Sequence, residues 1–199
     1  EAADGLPGGW ERVPLSAVVA DLVAGVSVNG EDRPAGPGEV GVLKTSAVSD
    51  GRFRPGENKA VVPADRGRVA TPVRAGDVLV SRMNTPALVG ESGIAEADHH
   101  TLYLPDRLWR VELRQPDRDA PHWLVAVLNS AAVRRAISDR ATGTSGSMKN
   151  LSKPALLGIE VPRPPLAVQR HIATILDAWT RAEDLSERLI AAKTQLRDV

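Results

Sequence analysis

Residues Thr142-Gly-Thr-Ser-Gly-Ser-Met-Lys-Asn-Leu-Ser-Lys-Pro-Ala-Leu-Leu-Gly-Ile-Glu-Val-Pro-Arg-Pro-Pro-Leu166 decide how this chain is built. A polar Gly/Ser loop runs into a short apolar segment, Leu156-Leu-Gly-Ile-Glu-Val161, which reads as a closing strand. Pro162, Pro164 and Pro165 then stop it. From Leu166 to the end there is neither Gly nor Pro, so one helix is expected over the remaining residues. At about 1.5 Å per residue its 34 residues reach roughly 50 Å. The pattern is that of a small head, residues 8–164, on a rod, residues 165–199.

The rod carries a seam. Ile175, Ala178, Ala182, Leu185, Leu189, Ala192 and Leu196 step alternately by three and four, the spacing of a heptad repeat that packs on another helix. Asp177–Arg181 and Asp184–Arg188 are i,i+4 pairs with the acid first, the favourable order. The competing reading is an ordinary amphipathic helix packed on its own head. A small head does not cover so long a helix, and this favours a partner helix. The chain begins with Glu1 and stops at Leu196-Arg-Asp-Val199 without a C-cap, as expected of a piece of something longer.

Working back from the rod, the head reads as α+β with a mixed sheet of many short strands. Trp10, Val13 and Leu15 anchor its start, and Ser16-Ala-Val-Val-Ala-Asp-Leu-Val23 reads as a short helical turn capped by Ser16. Residues 29–39 are loop by composition. Strands are expected at Val40–Thr45, at Asn58–Val62, and at Val78–Val80 after an Ala75-Gly-Asp77 turn. Ser49-Asp-Gly-Arg52 is a hairpin turn. Leu88-Val-Gly90 and Ser92-Gly-Ile-Ala95 suggest a further hairpin. Trp109–Arg114 alternates with period two, as a half-exposed strand does. His122 to Ile137 reads as one helix, with Trp123, Val127, Ala131, Arg134 and Ile137 along a face.

Composition narrows the function. The 199 residues contain no cysteine, so disulfides and thiolate metal sites are excluded and a reducing, cytoplasmic setting is expected. No apolar run approaches the roughly 20 residues a membrane helix needs, and no signal peptide is visible. The 25 basic and 25 acidic residues cancel, but unevenly along the chain. Residues 44–82 and 110–153 each hold eight Lys/Arg against four Asp/Glu; residues 1–43 hold two against seven and residues 83–109 one against four. Basic patches on a neutral chain suit a polyanion met on one face. Scattered solvated arginines would give the same totals.

Catalytic devices are missing from the sequence. The histidines are His99, His100, His122 and His171; the adjacent His99–His100 pair lacks ligand spacing and reads as a solvated acidic loop. There is no nucleophile elbow, P-loop or dinucleotide fingerprint. No Asn-Pro-Pro-aromatic tetrapeptide and no nuclease-like carboxylate cluster appears. A non-catalytic chain with no cofactor and no metal is expected. What remains are polar loops at strand ends: Lys44-Thr45-Ser46, Arg52-Phe53-Arg54, Ser81-Arg82-Met83-Asn84-Thr85, and Thr144-Ser145-Gly146-Ser147-Met148-Lys149-Asn150. Arginine reads guanine edges, asparagine reads adenine, and Ser, Thr and Lys take phosphates. Solvation accounts for any one of these loops alone. Four in one small head point to DNA, with Arg52, Arg82 and Asn84 on bases and Lys44, Ser46, Ser147 and Lys149 on phosphates.

Gly9-Trp-Glu-Arg-Val-Pro-Leu15, Val42-Leu-Lys-Thr-Ser46, Gly76-Asp-Val-Leu-Val-Ser-Arg82, Leu88-Val-Gly90, the 143–149 loop, Leu151-Ser152, Ile159-Glu-Val-Pro-Arg-Pro-Pro-Leu166 and Gln169-Arg-His-Ile-Ala-Thr-Ile-Leu-Asp177 follow one another in a familiar order. The chain resembles one half of the DNA specificity subunit of type I restriction–modification systems. That resemblance implies a target recognition domain that reads one part of a split site in double-stranded DNA. It also implies a long helix that acts as spacer and as dock for DNA methyltransferase subunits. Full specificity subunits carry two such units and this chain one. It would therefore be a half-subunit that pairs with itself, or the recognition tail of a fused adenine methyltransferase or nuclease. A coiled-coil adaptor that binds protein instead of DNA is the other class left open.

Overall fold

A computed structural model describes residues 5–143 and 148–197. In chain order the strands are β1 (Glu11–Pro14), β2 (Val19–Ala24), β3 (Gly41–Leu43), β4 (Val48–Ser49), β5 (Arg52–Phe53), β6 (Asn58–Ala60), β7 (Pro72–Val73), β8 (Val78–Ser81), β9 (Met83–Asn84), β10 (Ser92–Ile94), β11 (His99–Tyr103), β12 (Leu108–Leu113), β13 (Lys149–Asn150) and β14 (Glu160–Arg163). The helices are α1 (Pro121–Leu128), α2 (Ala131–Arg140), α3 (Lys153–Leu157) and α4 (Leu166–Arg197). One four-stranded sheet has the order β10-β8-β12-β2 and another β6-β3-β11-β7; β1–β14, β9–β13 and β4–β5 form two-stranded ribbons.

The first sheet divides the interior in two, and side-chain alternation shows how. Along β8 and β12, Val78, Val80, Trp109 and Val111 face a core built with Trp123, Leu124 and Leu128 of α1 and Val133 and Ile137 of α2. Leu79, between Val78 and Val80, and Leu108, just before Trp109, point the other way, into a smaller core with Leu43, Val48, Val73 and Leu102. A strand buried on both faces reads as a continuous apolar run, which is what Val78-Leu-Val80 shows.

The Asp50-Gly51 turn is as the sequence predicts. Both residues have positive φ, 55° and 75°, the geometry of a two-residue hairpin loop that closes Val48↔Phe53 and Ser49↔Arg52.

Several elements differ from the sequence reading. Residues 19–24 are strand, not helix, and only Leu15–Ala17 forms a 3-10 turn, without a side-chain cap from Ser16. The register of β2 against β12 shifts between Glu112 and Leu113. This bulge puts Val19 and Leu22, three apart, on the buried side, and so imitates a helical period. The helix expected from His122 to Ile137 is broken after Leu128, where Ser130 turns extended with φ −63° and ψ 145° just past the still-helical Asn129. Asn129 Nδ2 donates to the carbonyl of Ser92 at 3.1 Å, to Ser92 Oγ at 2.9 Å and to the carbonyl of Val125 at 3.0 Å.

Leu88-Val-Gly90 lies in the connection between β8 and β10 rather than in a strand. His99–His100 starts strand β11, not an acidic loop; the His99 ring stands edge-on to Phe53 at 5.3 Å. Leu156–Leu157 ends helix α3, whose cap is Ser152 Oγ accepting from the Ala155 amide at 3.3 Å. Pro162 sits inside β14 opposite Arg12. A two-stranded ribbon leaves an edge where a residue without N–H costs no ladder bond.

No helix of the described residues is long and apolar enough to cross a membrane, and none of their His, Asp and Glu side chains group as three or more around a possible metal position.

Candidate nucleic-acid interface

The polar loops gather into two groups. The first surrounds the β4–β5 hairpin. Lys44, Thr45 and Ser46 form the turn that leads into it, held by the Lys44 amide donating to Glu57 O at 2.9 Å and the Arg54 amide to Ala47 O at 2.8 Å. Glu57 also holds two side chains of this turn: Ser46 Oγ donates to its Oε2 at 2.6 Å, and Lys44 Nζ lies 3.9 Å from the same oxygen. Arg54 turns back on its own hairpin. It donates to Ser49 O at 3.0 Å, to the Ser49 hydroxyl, and to Asp50 Oδ2 at 3.3 Å. Arg52 lines an open groove of about 1160 Å³ between the hairpin, α1 and the exposed Trp179 of α4. At its rim His122 Nε2 is 3.0 Å from Glu96 Oε1.

The hairpin rests on β10 through one glycine. A Cβ on Gly93 would stand 2.5 Å from Arg52 O and 2.6 Å from Arg52 C, both backbone atoms that cannot swing aside. A Gly93→Ala variant must lift the hairpin that carries Arg52. We expect a loss of about 1–3 kcal/mol from overpacking, read as an earlier urea midpoint at unchanged slope. A midpoint within error of the parent would show that the hairpin is not seated on Gly93.

The second group joins segments more than sixty residues apart in sequence. β9 and β13 pair Asn84 with Lys149 and Met83 with Asn150, so Arg82, Asn84, Thr85, Lys149 and Asn150 share one ribbon. Leu151 N donates to Arg82 O at 2.8 Å and ties its end. The Asn84 amide is used locally: Nδ2 donates to Ser81 Oγ at 3.3 Å and Oδ1 accepts from the Thr85 amide at 2.9 Å. Thr85 is exposed, and its carbonyl takes the amides of Leu88 and Val89. The Arg82 guanidinium lies 5.4 Å over the Trp109 ring. Its Nε and Asn150 Oδ1 are buried without a hydrogen-bond partner among the described residues. Thr144, Ser145 and Ser147 lie outside the described residues, as do the side chains of Asp177, Asp184 and Leu196.

Residues the sequence reading passed over hold these loops in place. Arg134 donates to Val89 O at 2.6 Å and to Ala87 O at 2.7 Å, which fastens the connection after β9. Burial pushes its guanidinium pKa down, and Glu91, 3.5 Å away, pushes it back up. Glu91 Oε2 also accepts from the Asp50 amide at 2.8 Å, so it touches both the hairpin and this connection. The available signal was an arginine standing in the apolar stripe of α2.

The joint to α4 is built from a buried ion pair and a buried amide. Arg163 Nε and Nη2 donate to the two oxygens of Asp119 at 2.8 and 2.9 Å, and both side chains are buried. Gln169 donates to Arg118 O at 3.1 Å and Pro164 O at 2.9 Å and accepts from the Ala120 amide at 2.8 Å. The first turn of α4 is thereby fixed to the segment before α1.

Comparison with known proteins bears directly on this arrangement. Over 194 residues, 96% of its length, the chain is 31% identical to the type I restriction enzyme EcoEI specificity subunit of Escherichia coli. The chain is related to type I restriction specificity subunits. It spans about a third of that relative, 32% of its length. Solved specificity subunits share the fold. The S subunit of a type I system from M. genitalium aligns with all of the chain and 46% of its own, with a TM-score of 0.65 at 15% identity. The HsdS subunit of Thermoanaerobacter tengcongensis aligns with 95% of the chain and 42% of its own, with a TM-score of 0.56 at 22% identity. A chain from a structure of the complex assembly and conformational transition of a type I restriction–modification system aligns with 97% of this chain and 44% of its own, with a TM-score of 0.59 at 22% identity. No family model matches.

Proposed function

We propose that this chain is a sequence-specific DNA recognition module of a type I-like restriction–modification system, with no catalytic role of its own. The observation that carries this is the similarity to the EcoEI specificity subunit along nearly the whole chain. The head, residues 8–164, presents the hairpin with Lys44, Thr45, Ser46, Arg52 and Arg54, and the ribbon with Arg82, Asn84, Thr85, Lys149 and Asn150, to double-stranded DNA in the cytoplasm. Phosphate binding at Lys44 and Ser46 displaces their contacts with Glu57, so that turn engages by exchange of one anion for another.

The rod, residues 165–199, pairs with another helix. Its two faces support this. Gln169, Ile172 and Leu176 meet the head or line the groove. At 3.6 residues per turn the seam of Ile175, Ala178, Ala182, Leu185, Leu189 and Ala192 is centred roughly 140° round the helix from them. Ile175, Leu185 and Leu189 are 53%, 66% and 56% exposed, and the three alanines are exposed too. The occupant is a helix of a methyltransferase subunit, of a second recognition unit, or of a second copy of this chain. In that arrangement the Asp119–Arg163–Gln169 joint sets where the recognised bases lie relative to the methyltransferase.

A fluorescence anisotropy titration against labelled duplex DNA at several salt concentrations tests the reading. Affinity should fall linearly in log–log form, with a slope of about −0.9 per phosphate contact. Absence of binding at low salt, or affinity indifferent to salt, would assign the chain to the protein-binding adaptors instead.

A further inference from the structure

We infer that Arg82 reads a guanine end-on, and that Trp109 is the positioning residue that holds it for this contact. The inference rests on the DNA-recognition reading above. Arg82 differs from Arg54 in how it is held. Arg54 spends its donors on Ser49 and Asp50, whereas the Arg82 side chain donates to no described residue and has no ion pair among them. Its main chain is clamped, the amide donating to Arg107 O at 3.0 Å and the carbonyl accepting from Leu151 N at 2.8 Å. Its guanidinium is laid over the ring of Trp109, which is 2% exposed and fixed in the centre of a sheet opposite Val80. A cation–π contact of this kind restrains the guanidinium without consuming a donor.

The burial of individual atoms then selects the edge that is offered. Nε is shut away and unsatisfied, so the side-on pair of Nε and Nη2 is closed to a ligand. The terminal nitrogens are not buried, and they form the other two-donor edge. A planar pair of donors restrained in this way matches the O6 and N7 acceptors of guanine in the major groove. A phosphate contact gains less from such fixing, because it asks for charge more than for a plane.

The experiment uses the full chain and a duplex that it selects from random DNA. Guanines are replaced one at a time by deazaguanine, which lacks the N7 acceptor. The wild-type chain should lose roughly ten- to one-hundred-fold in affinity at one guanine. Arg82→Ala and Arg82→Lys should both flatten that response, the lysine variant with its salt slope intact. Trp109→Leu should flatten it as well, again at unchanged salt slope, and combining it with Arg82→Ala should add nothing. Melting curves establish that each variant is folded. If Trp109→Leu does not fold, Trp109→Phe decides, since a smaller ring should weaken the response several-fold.

Arg82 variants that keep the full guanine response would make Arg82 a lid on the core and overturn the inference. A uniform loss with a shallower salt slope would make it a phosphate contact, with the same consequence. Folded Trp109 variants that keep the response while Arg82→Ala abolishes it would remove Trp109 from the positioning role. No salt-dependent DNA binding by the wild-type chain would overturn the underlying reading, and the inference with it.

Discussion

Asp119→Ala should be among the most destabilising single substitutions in this chain, at about 3–5 kcal/mol. Asp119 is fully buried and accepts both donors of the buried Arg163 fork. Removing the carboxylate leaves a guanidinium charge in a water-poor site with nothing to receive its hydrogen bonds. The cost comes mainly from that orphaned charge rather than from the worth of the pair. The double variant Asp119→Leu/Arg163→Met should therefore recover most of the stability, because two apolar side chains of similar size replace two charges. Urea denaturation of the two variants beside the parent checks this. Equal stability of Asp119→Ala and the parent would mean that the pair is solvated, and the joint would lose its central part. Arg163 ends β14 and Gln169 lies in the first turns of α4, so loosening the pair also frees the angle of the rod.

Leu185→Glu/Leu189→Glu should leave the head folded and abolish pairing through the rod. Both leucines stand more than half exposed on the side of α4 away from the head. A substitution there costs the isolated chain little. Burying a leucine contributes about 1.5–3 kcal/mol, so losing two removes about 3–6 kcal/mol and weakens a partner complex by at least roughly a hundredfold. Introducing two carboxylates into an apolar seam raises that figure. Light scattering of the chain and co-purification with a methyltransferase subunit read the effect. Intact association with the methyltransferase and an unchanged oligomeric state would show that the seam is not the contact surface.

Local chemistry was legible in the sequence; long-range chemistry was not. Asp50-Gly51 declares its turn because only a few residues accept two successive positive φ angles. Val78-Leu-Val80 declares a doubly buried strand. The segment from Val19 to Leu22 misleads because a bulge in β2 gives it the spacing of a helix. Asn129, at the end of α1, is tied to Ser92, a partner 37 residues away that no local pattern announces. The same holds for the joint, since Asp119 and Arg163 are separated by 44 positions. Polar loops could be picked out by composition. That Arg82 and Asn84 share a ribbon with Lys149 and Asn150, while Lys44 and Arg52 sit on a separate hairpin, is a consequence of strand pairing. Glu57, which holds Lys44 and Ser46, was invisible for the same reason.

The central claim is that the head distinguishes one DNA sequence from others. The most direct measurement is the affinity of the chain for the duplex it enriches from a random pool, set against a shuffled duplex of equal length at the same salt. Specific recognition predicts a gap of at least about a thousandfold at physiological salt. Equal affinity for the two duplexes would contradict sequence reading by this head.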